Sequence, residues 1–275
     1  MKIIFTKSNW ELSHLSLAEM CDRVAAAGYA ATETNLPNLS ASASEIRRCH
    51  EQAGLKLVAQ MSTQGATVAE HLCSLEQRYL FAIETEPLFV NSQTSRDFFS
   101  LDEHLAIFEK GQELVARYDV PLRHETHRSR ALYSVGATMQ LLRELPELEL
   151  TADFSHWVCV HESDLSEQTQ SVERAMQAAR HIHARVGYDE GPQVSDPRNP
   201  AYAAWMDLFL NWWQRICDMR RGAGDAYLTI TPEFGPEPYM PLAGINAVPV
   251  ADAWDCNLWM KTHLHQNLQR VEFDD

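Results

Sequence analysis

His181-Ile182-His183-Ala184-Arg185-Val186-Gly187 alternates polar and apolar side chains. As a strand it presents His181, His183 and Arg185 on one face and Ile182 and Ala184 on the other. Two imidazoles and a guanidinium are costly to bury in a hydrophobic core. They fit a strand end that lines a polar, ligand-holding cavity. The plainer alternative is a half-exposed strand that carries histidines incidentally, and the flanking sequence decides between the two.

Working outward, a helix over 168–179 and a strand over 148–153 precede this stretch, and a long aromatic helix over 202–220 follows it. The same strand-then-helix unit recurs towards the N-terminus. A strand-like 121–127 leads to a helix over 135–145, and 88–92 leads to a helix over 101–118 with apolar positions at Leu105, Phe108, Leu114 and Val115. Strand 55–61 precedes a helix over 68–83, and strand 29–33 precedes one over 44–53 that Gly54 closes. The first strand, 2–6, precedes a helix that Ser16 caps and Gly28 stops. Strand 226–231 and a helix over 251–269 complete eight units, with no Pro/Gly-rich linker between them. Eight alternating units in 275 residues predict a (β/α)8 TIM barrel forming one domain over 1–275. A doubly wound open sheet is the alternative, but the phosphate-binding glycine loop expected after its first strand is missing.

Composition narrows the function. With 38 acidic against 23 basic residues, a net charge of −15 argues against a nucleic-acid-binding surface. No apolar run approaches membrane-spanning length, and the N-terminus reads as a first strand rather than a signal peptide. Six scattered cysteines without a C-x-x-C pair read as free thiols in a reducing, cytoplasmic setting.

In a barrel the chemistry sits at the carboxyl ends of the strands. The fifth strand ends in Arg123-His124-Glu125-Thr126-His127-Arg128, with Arg123, Glu125 and His127 on one face by alternation. The sixth ends in Asp153-Phe154-Ser155-His156, the seventh carries His181 and His183, and the eighth ends in Pro232-Glu233-Phe234-Gly235. Converging carboxylates repel one another unless a cation joins them. A mixed oxygen and imidazole set suits one divalent ion, Mn, Mg, Co or Zn, without choosing among them.

These four motifs resemble the xylose-isomerase-like TIM barrels, the sugar phosphate isomerase/epimerase superfamily. The resemblance implies metal ligation by Glu125, Asp153, His183 and Glu233. It also places His156 against a substrate oxygen and gives Glu125 and Glu233 acid/base roles. His127, Arg128, Arg185 and, deeper in the barrel, His181 complete the substrate-facing set. Two positions depart from the ketose 3-epimerases of that family: Ala131 stands where they carry a Glu, and Asp189 where they carry an Arg.

The implied activity is isomerisation or epimerisation of a small sugar, sugar phosphate or sugar acid, by removal of a proton α to a carbonyl through an enediolate. The alternatives are a lyase or dehydratase on the same site, a DNA endonuclease, against which the charge counts, and a non-catalytic carbohydrate-binding barrel. Arg96, Arg123, Arg128, Arg130 and Arg185, all near strand ends, favour an anionic polyhydroxy substrate. The 187–194 loop is long enough to form a lid. Trp205, Phe209, Trp212 and Trp213 read as a packed helix face, with a homo-oligomer contact as the alternative. Trp10 is a candidate wall for the substrate.

Overall fold

Eight parallel strands close on themselves in the computed structural model, which describes residues 1–274. In chain order the elements are β1 (Lys2–Ser8), α1 (Leu17–Ala26), β2 (Ala31–Asn35), α2 (Ala43–Ala53), β3 (Lys56–Ser62), α3 (Val68–Ile83), β4 (Phe89–Gln93) and α4 (Leu101–Tyr118). They continue as β5 (Leu122–Glu125), α5 (Val135–Glu144), β6 (Leu150–Ala152), α6 (Ser155–His161), α7 (Thr169–Ala178), β7 (Ala179–Ala184), α8 (Ala203–Gly222) and β8 (Tyr227–Pro232). Each barrel strand pairs with the next, and β1 pairs with β8 from Lys2↔Tyr227 to Phe5↔Ile230, which closes the ring. This is a (β/α)8 TIM barrel. A hairpin of β9 (Leu242–Ala243) and β10 (Val248–Pro249) follows, then α9 (Ala253–Asn267) and β11 (Glu272–Phe273), which pairs with the outer part of β1.

Local signals place the helices where the sequence expected them. Ser16 and Glu19 form a reciprocal capping box on α1, and Thr67–Glu70 and Ser100–Glu103 do the same for α3 and α4. Gly54 ends α2 in the left-handed conformation, φ 69°, that glycine adopts without strain. Three features were not foreseen: the short α6 inserted after β6, the β9–β10 hairpin, and β11. The strand over 121–127 is also shorter than expected, running from Leu122 to Glu125.

The apolar core lies mainly between the outer barrel wall and the helices. On β7, Ile182 and Ala184 join that layer, with Trp157, Phe209, Trp212, Trp213 and Ile216. The aromatic face of α8 is therefore core, as its spacing implied; Phe154 stacks on Trp157 at 4.7 Å and meets Trp212 edge-on at 5.8 Å. The barrel interior is polar instead: Thr6, Glu33, Asn91, Thr151, His181, Thr229 and Thr231 are all buried. Among the described residues no helix is long and apolar enough to cross a membrane. The six cysteines are free; Cys21, Cys49, Cys217 and Cys256 are buried, whereas Cys73 is exposed.

Candidate metal centre

The C-terminal ends of β5 to β8 bring Glu125, Asp153, His183 and Glu233 together. One ligand atom from each lies within 4.8 Å of the others, and all four residues are buried. His183 Nδ1 stands 2.9 Å from Glu233 Oε2, 3.7 Å from Glu125 Oε1 and 3.8 Å from Asp153 Oδ2. Yet His183 Nδ1 and Glu233 Oε2 meet only as an ion pair, and neither makes a hydrogen bond in the interior. Buried polar atoms without partners are costly, and a shared cation would satisfy both. Three carboxylates and one imidazole nitrogen are also the donor set of a divalent-ion site, so these residues fit the group.

The electrostatics show what the carboxylates do to one another. Burial, reinforced by the charges of Glu233, Asp153 and Glu33, raises the Glu125 pKa to about 8 against the opposing pull of His183. Burial works to lower the His183 pKa, but Glu233, Glu33 and Glu125 outweigh it and hold the ring charged well above its ordinary value. Burial likewise opposes ionisation of Asp153, and the Arg185 guanidinium overrides it, with His156 and His183 in support.

Below this layer lies Glu33, at the middle of β2 and unforeseen from the sequence. Its two oxygens lie 3.0 Å from His183 Nε2, and Oε2 lies 3.1 Å from His181 Nε2. Asn91 Nδ2 donates to Glu33 at 2.7 Å and Thr231 Oγ1 donates at 2.6 Å. Thr151 Oγ1 donates in turn to Asn91 Oδ1 at 2.8 Å, which fixes the amide's orientation. Two imidazoles hold Glu33 ionised, well below the usual carboxylate range, against the cost of burial. The signal for it was a lone carboxylate in mid-strand, Thr32-Glu33-Thr34, where an outer-wall residue would be apolar.

The other expected residues separate into distinct places. Arg185 is buried rather than free at the rim. It is ion-paired with Asp153, its NH2 nitrogen donates to His156 Nε2 at 2.8 Å, and it stays 3.7 Å from Glu233. His156 thus accepts on Nε2, and its Nδ1 has no partner. The His127 ring lies 4.0 Å from that of His156, with Nδ1 2.5 Å from the Arg128 carbonyl. Burial keeps both imidazoles uncharged; the His127 pKa falls to about 3. Arg128 lies 5.0 Å over the Tyr239 ring. His181 faces Glu33, away from the cleft. Arg123 sits deep in the barrel over Phe89, bonded to Glu149 at 3.2 Å and to the Arg180 carbonyl at 2.8 Å, so it is not a rim anion contact.

Above the carboxylates a cleft of about 510 Å³ opens, lined among others by Trp10, Asn35, Gln60, Gln93, His127 and Tyr239. Gln93 donates to Glu125 at 3.2 Å. Glu233 is held by the backbone that follows it: Phe234 N donates to Asn257 Oδ1 at 2.6 Å, and Gly235 N to Gln193 Oε1 at 2.7 Å. A Cβ on Gly235 would sit 2.5 Å from the Trp10 ring, so glycine lets that wall close. The 187–194 loop is likewise fastened. Gln193 returns a bond to the Gly235 carbonyl at 3.1 Å, Val194 is buried, and Gly187 packs on Ser155. These contacts hold the loop against Ser155 and the backbone after Glu233.

Neither a protein-family model nor a curated protein sequence matches the chain. Solved structures do resemble it over nearly its whole length. A 3-keto-D-glucoside 4-epimerase, YcjR, from E. coli superposes with a TM-score of 0.64 at 12% identity, covering 96% of this chain and 100% of that one. The probable 3-DHS dehydratase AsbF from Bacillus anthracis gives 0.62 at 16% identity, covering 96% and 98%. Endonuclease IV from Thermus thermophilus gives 0.60 at 13% identity, covering 97% and 99%. At such identities the likeness is one of fold, a (β/α)8 barrel over nearly the whole chain.

Proposed function

We propose that this chain is a metal-dependent isomerase or epimerase of a small sugar, sugar phosphate or sugar acid. The observation that carries the reading is the buried Glu125–Asp153–His183–Glu233 cluster at the floor of a cleft of about 510 Å³. A divalent ion held there supplies Lewis-acid polarisation of a bound carbonyl or hydroxyl oxygen. Glu33 turns the His183 ring so that Nδ1 faces the carboxylates. Glu233, clamped through Phe234 and Gly235, takes the proton from the carbon next to the carbonyl and returns it to the neighbouring carbon in isomerisation, with Glu125 as the second acid/base carboxylate. His156, whose Nδ1 is unpartnered, donates to a substrate oxygen, while Trp10 and Tyr239 wall the cleft and exclude water. Similarity in fold to a sugar epimerase is compatible with this reading, but fold alone does not choose the chemistry.

Incubation with Mn2+ in D2O and a panel of ketoses, keto sugars and sugar acids tests it. The expected result is deuterium at the carbon α to the carbonyl, abolished in Glu233→Gln while the thermal melt stays cooperative. Absence of exchange across the panel, or undiminished exchange in Glu233→Gln, would contradict it.

A further inference from the structure

Buried polar atoms without partners occur at a second place, on the rim beside the cleft where β3 and β4 end. The Arg96 side chain makes no hydrogen bond and no ion pair among the described residues, and its Nε is buried. Its guanidinium only rests over the Phe98 ring, at 5.6 Å. Arg130 donates one nitrogen to the Thr63 carbonyl at 3.1 Å and to the Ser95 carbonyl at 3.4 Å, while its Nε is buried and unpartnered. Arg78 reaches up from α3 to the Ser62 carbonyl and, at 3.2 Å, to Ser62 Oγ. Gln60 and Ser62 share one face of β3, and Gln60 lines the cleft. His71, wholly buried, bonds Thr63 Oγ1 at 2.7 Å through Nδ1 and leaves Nε2 unpartnered.

The groups lie within electrostatic reach of one another. Burial first, and then Arg96 and Arg78, lower the pKa of Arg130, whereas Glu125 and Asp97 act the other way. Burial, helped by Arg130 and Arg96, lowers the pKa of His71. In a chain of net charge −15, none of the three arginines forms an ion pair with a carboxylate among the described residues. Three like charges, with a buried unused donor on Arg96 and another on Arg130, are unfavourable by themselves, and guanidinium forks match the oxygens of a carboxylate or phosphate.

We propose that Arg78, Arg96 and Arg130 form an oxyanion subsite that takes the carboxylate or phosphate end of the substrate. It rests on the reading of the cleft as a small-carbohydrate site and assigns the substrate class: a sugar acid or sugar phosphate rather than a neutral sugar. The anion sits beside β3 and β4, and the reacting end of the molecule faces the carboxylates of β5 to β8.

Calorimetric titration of the full chain with D-gluconate, D-glucose 6-phosphate and D-glucose, each with and without Mn2+, tests the subsite. One of the two anions is expected to bind at least tenfold more tightly than D-glucose; gluconate as the tighter ligand identifies a carboxylate, the phosphate ester a phosphate. Arg96→Gln, which breaks no hydrogen bond, and Arg130→Gln are each expected to weaken that anion by tenfold or more and to leave D-glucose unchanged. Arg143→Gln, exposed on α5, leaves all three unchanged. Equal binding of anions and D-glucose, or wild-type anion binding in a folded Arg96→Gln, overturns the subsite. Loss of Mn2+ binding with anion binding intact would instead strike the proposed chemistry and leave the subsite standing.

Discussion

A carboxylate in the middle of a barrel strand is tolerable only with partners, and Glu33 has four: His181, His183, Asn91 and Thr231. By accepting from His183 Nε2 it leaves Nδ1 for the carboxylate cluster, the arrangement in which an outer carboxylate orients a ligating imidazole. Glu33→Gln is expected to weaken Mn2+ binding by about 10–100-fold, measured by titration of the folded variant; wild-type affinity would deny Glu33 this role. Glu125 sets a pH dependence. Its folded pKa of about 8 lies above the roughly 4.3 of an unfolded glutamate, so its contribution to stability is full at low pH and is lost as pH rises between the two values. A metal must displace that proton and the one on His183 Nδ1. Mn2+ affinity is therefore expected to rise from pH 6 to 8 with proton release, and a flat profile would contradict the assignment. The sequence exposed the residues at strand ends, Glu125, Asp153, His183 and Glu233, because their motifs are local. Glu33 and Asn91 act across the barrel through partners far away in the chain, and only closure of the sheet brings those partners together.

Among the elements, the strand-helix alternation was legible because each helix carries its own caps and each strand its own period. Less legible was how loops are fastened. The 187–194 loop reads as a lid from its length and glycines, yet Gln193 and Gly187 spend those features on close packing. A Cβ on Gly187 would fall 2.8 Å from the Ser155 carbonyl oxygen, which belongs to the backbone of α6 and cannot turn aside. Gly187→Ala is expected to destabilise the fold by about 1–3 kcal/mol, the usual cost of overpacking, read as a lowered unfolding midpoint in urea. An unchanged midpoint would mean the contact relaxes freely. The arginines were read as one group from their proximity to strand ends, and the structure divides them. Arg123 is spent on Glu149 and Arg185 on Asp153, while Arg96 and Arg130 keep unused donors.

For the whole molecule, the division of the barrel into a polar interior and an apolar outer layer ties stability to the site. The outer layer holds the fold: Trp213→Ala removes a fully enclosed ring and is expected to cost about 3–5 kcal/mol by denaturant titration. The inner layer holds carboxylates balanced by the charged His183 ring, by Arg185 and by the proton on Glu125. The proposed chemistry stands or falls with one divalent ion among Glu125, Asp153, His183 and Glu233. Its decisive test is Mn2+ titration of the chelator-stripped chain, read by the signal of free Mn2+ in electron paramagnetic resonance. One ion per chain is expected, with binding lost in Asp153→Asn and His183→Ala variants that still unfold cooperatively. Absence of a stoichiometric site for Mn2+, Mg2+, Co2+ or Zn2+, or full binding in both variants, would contradict it.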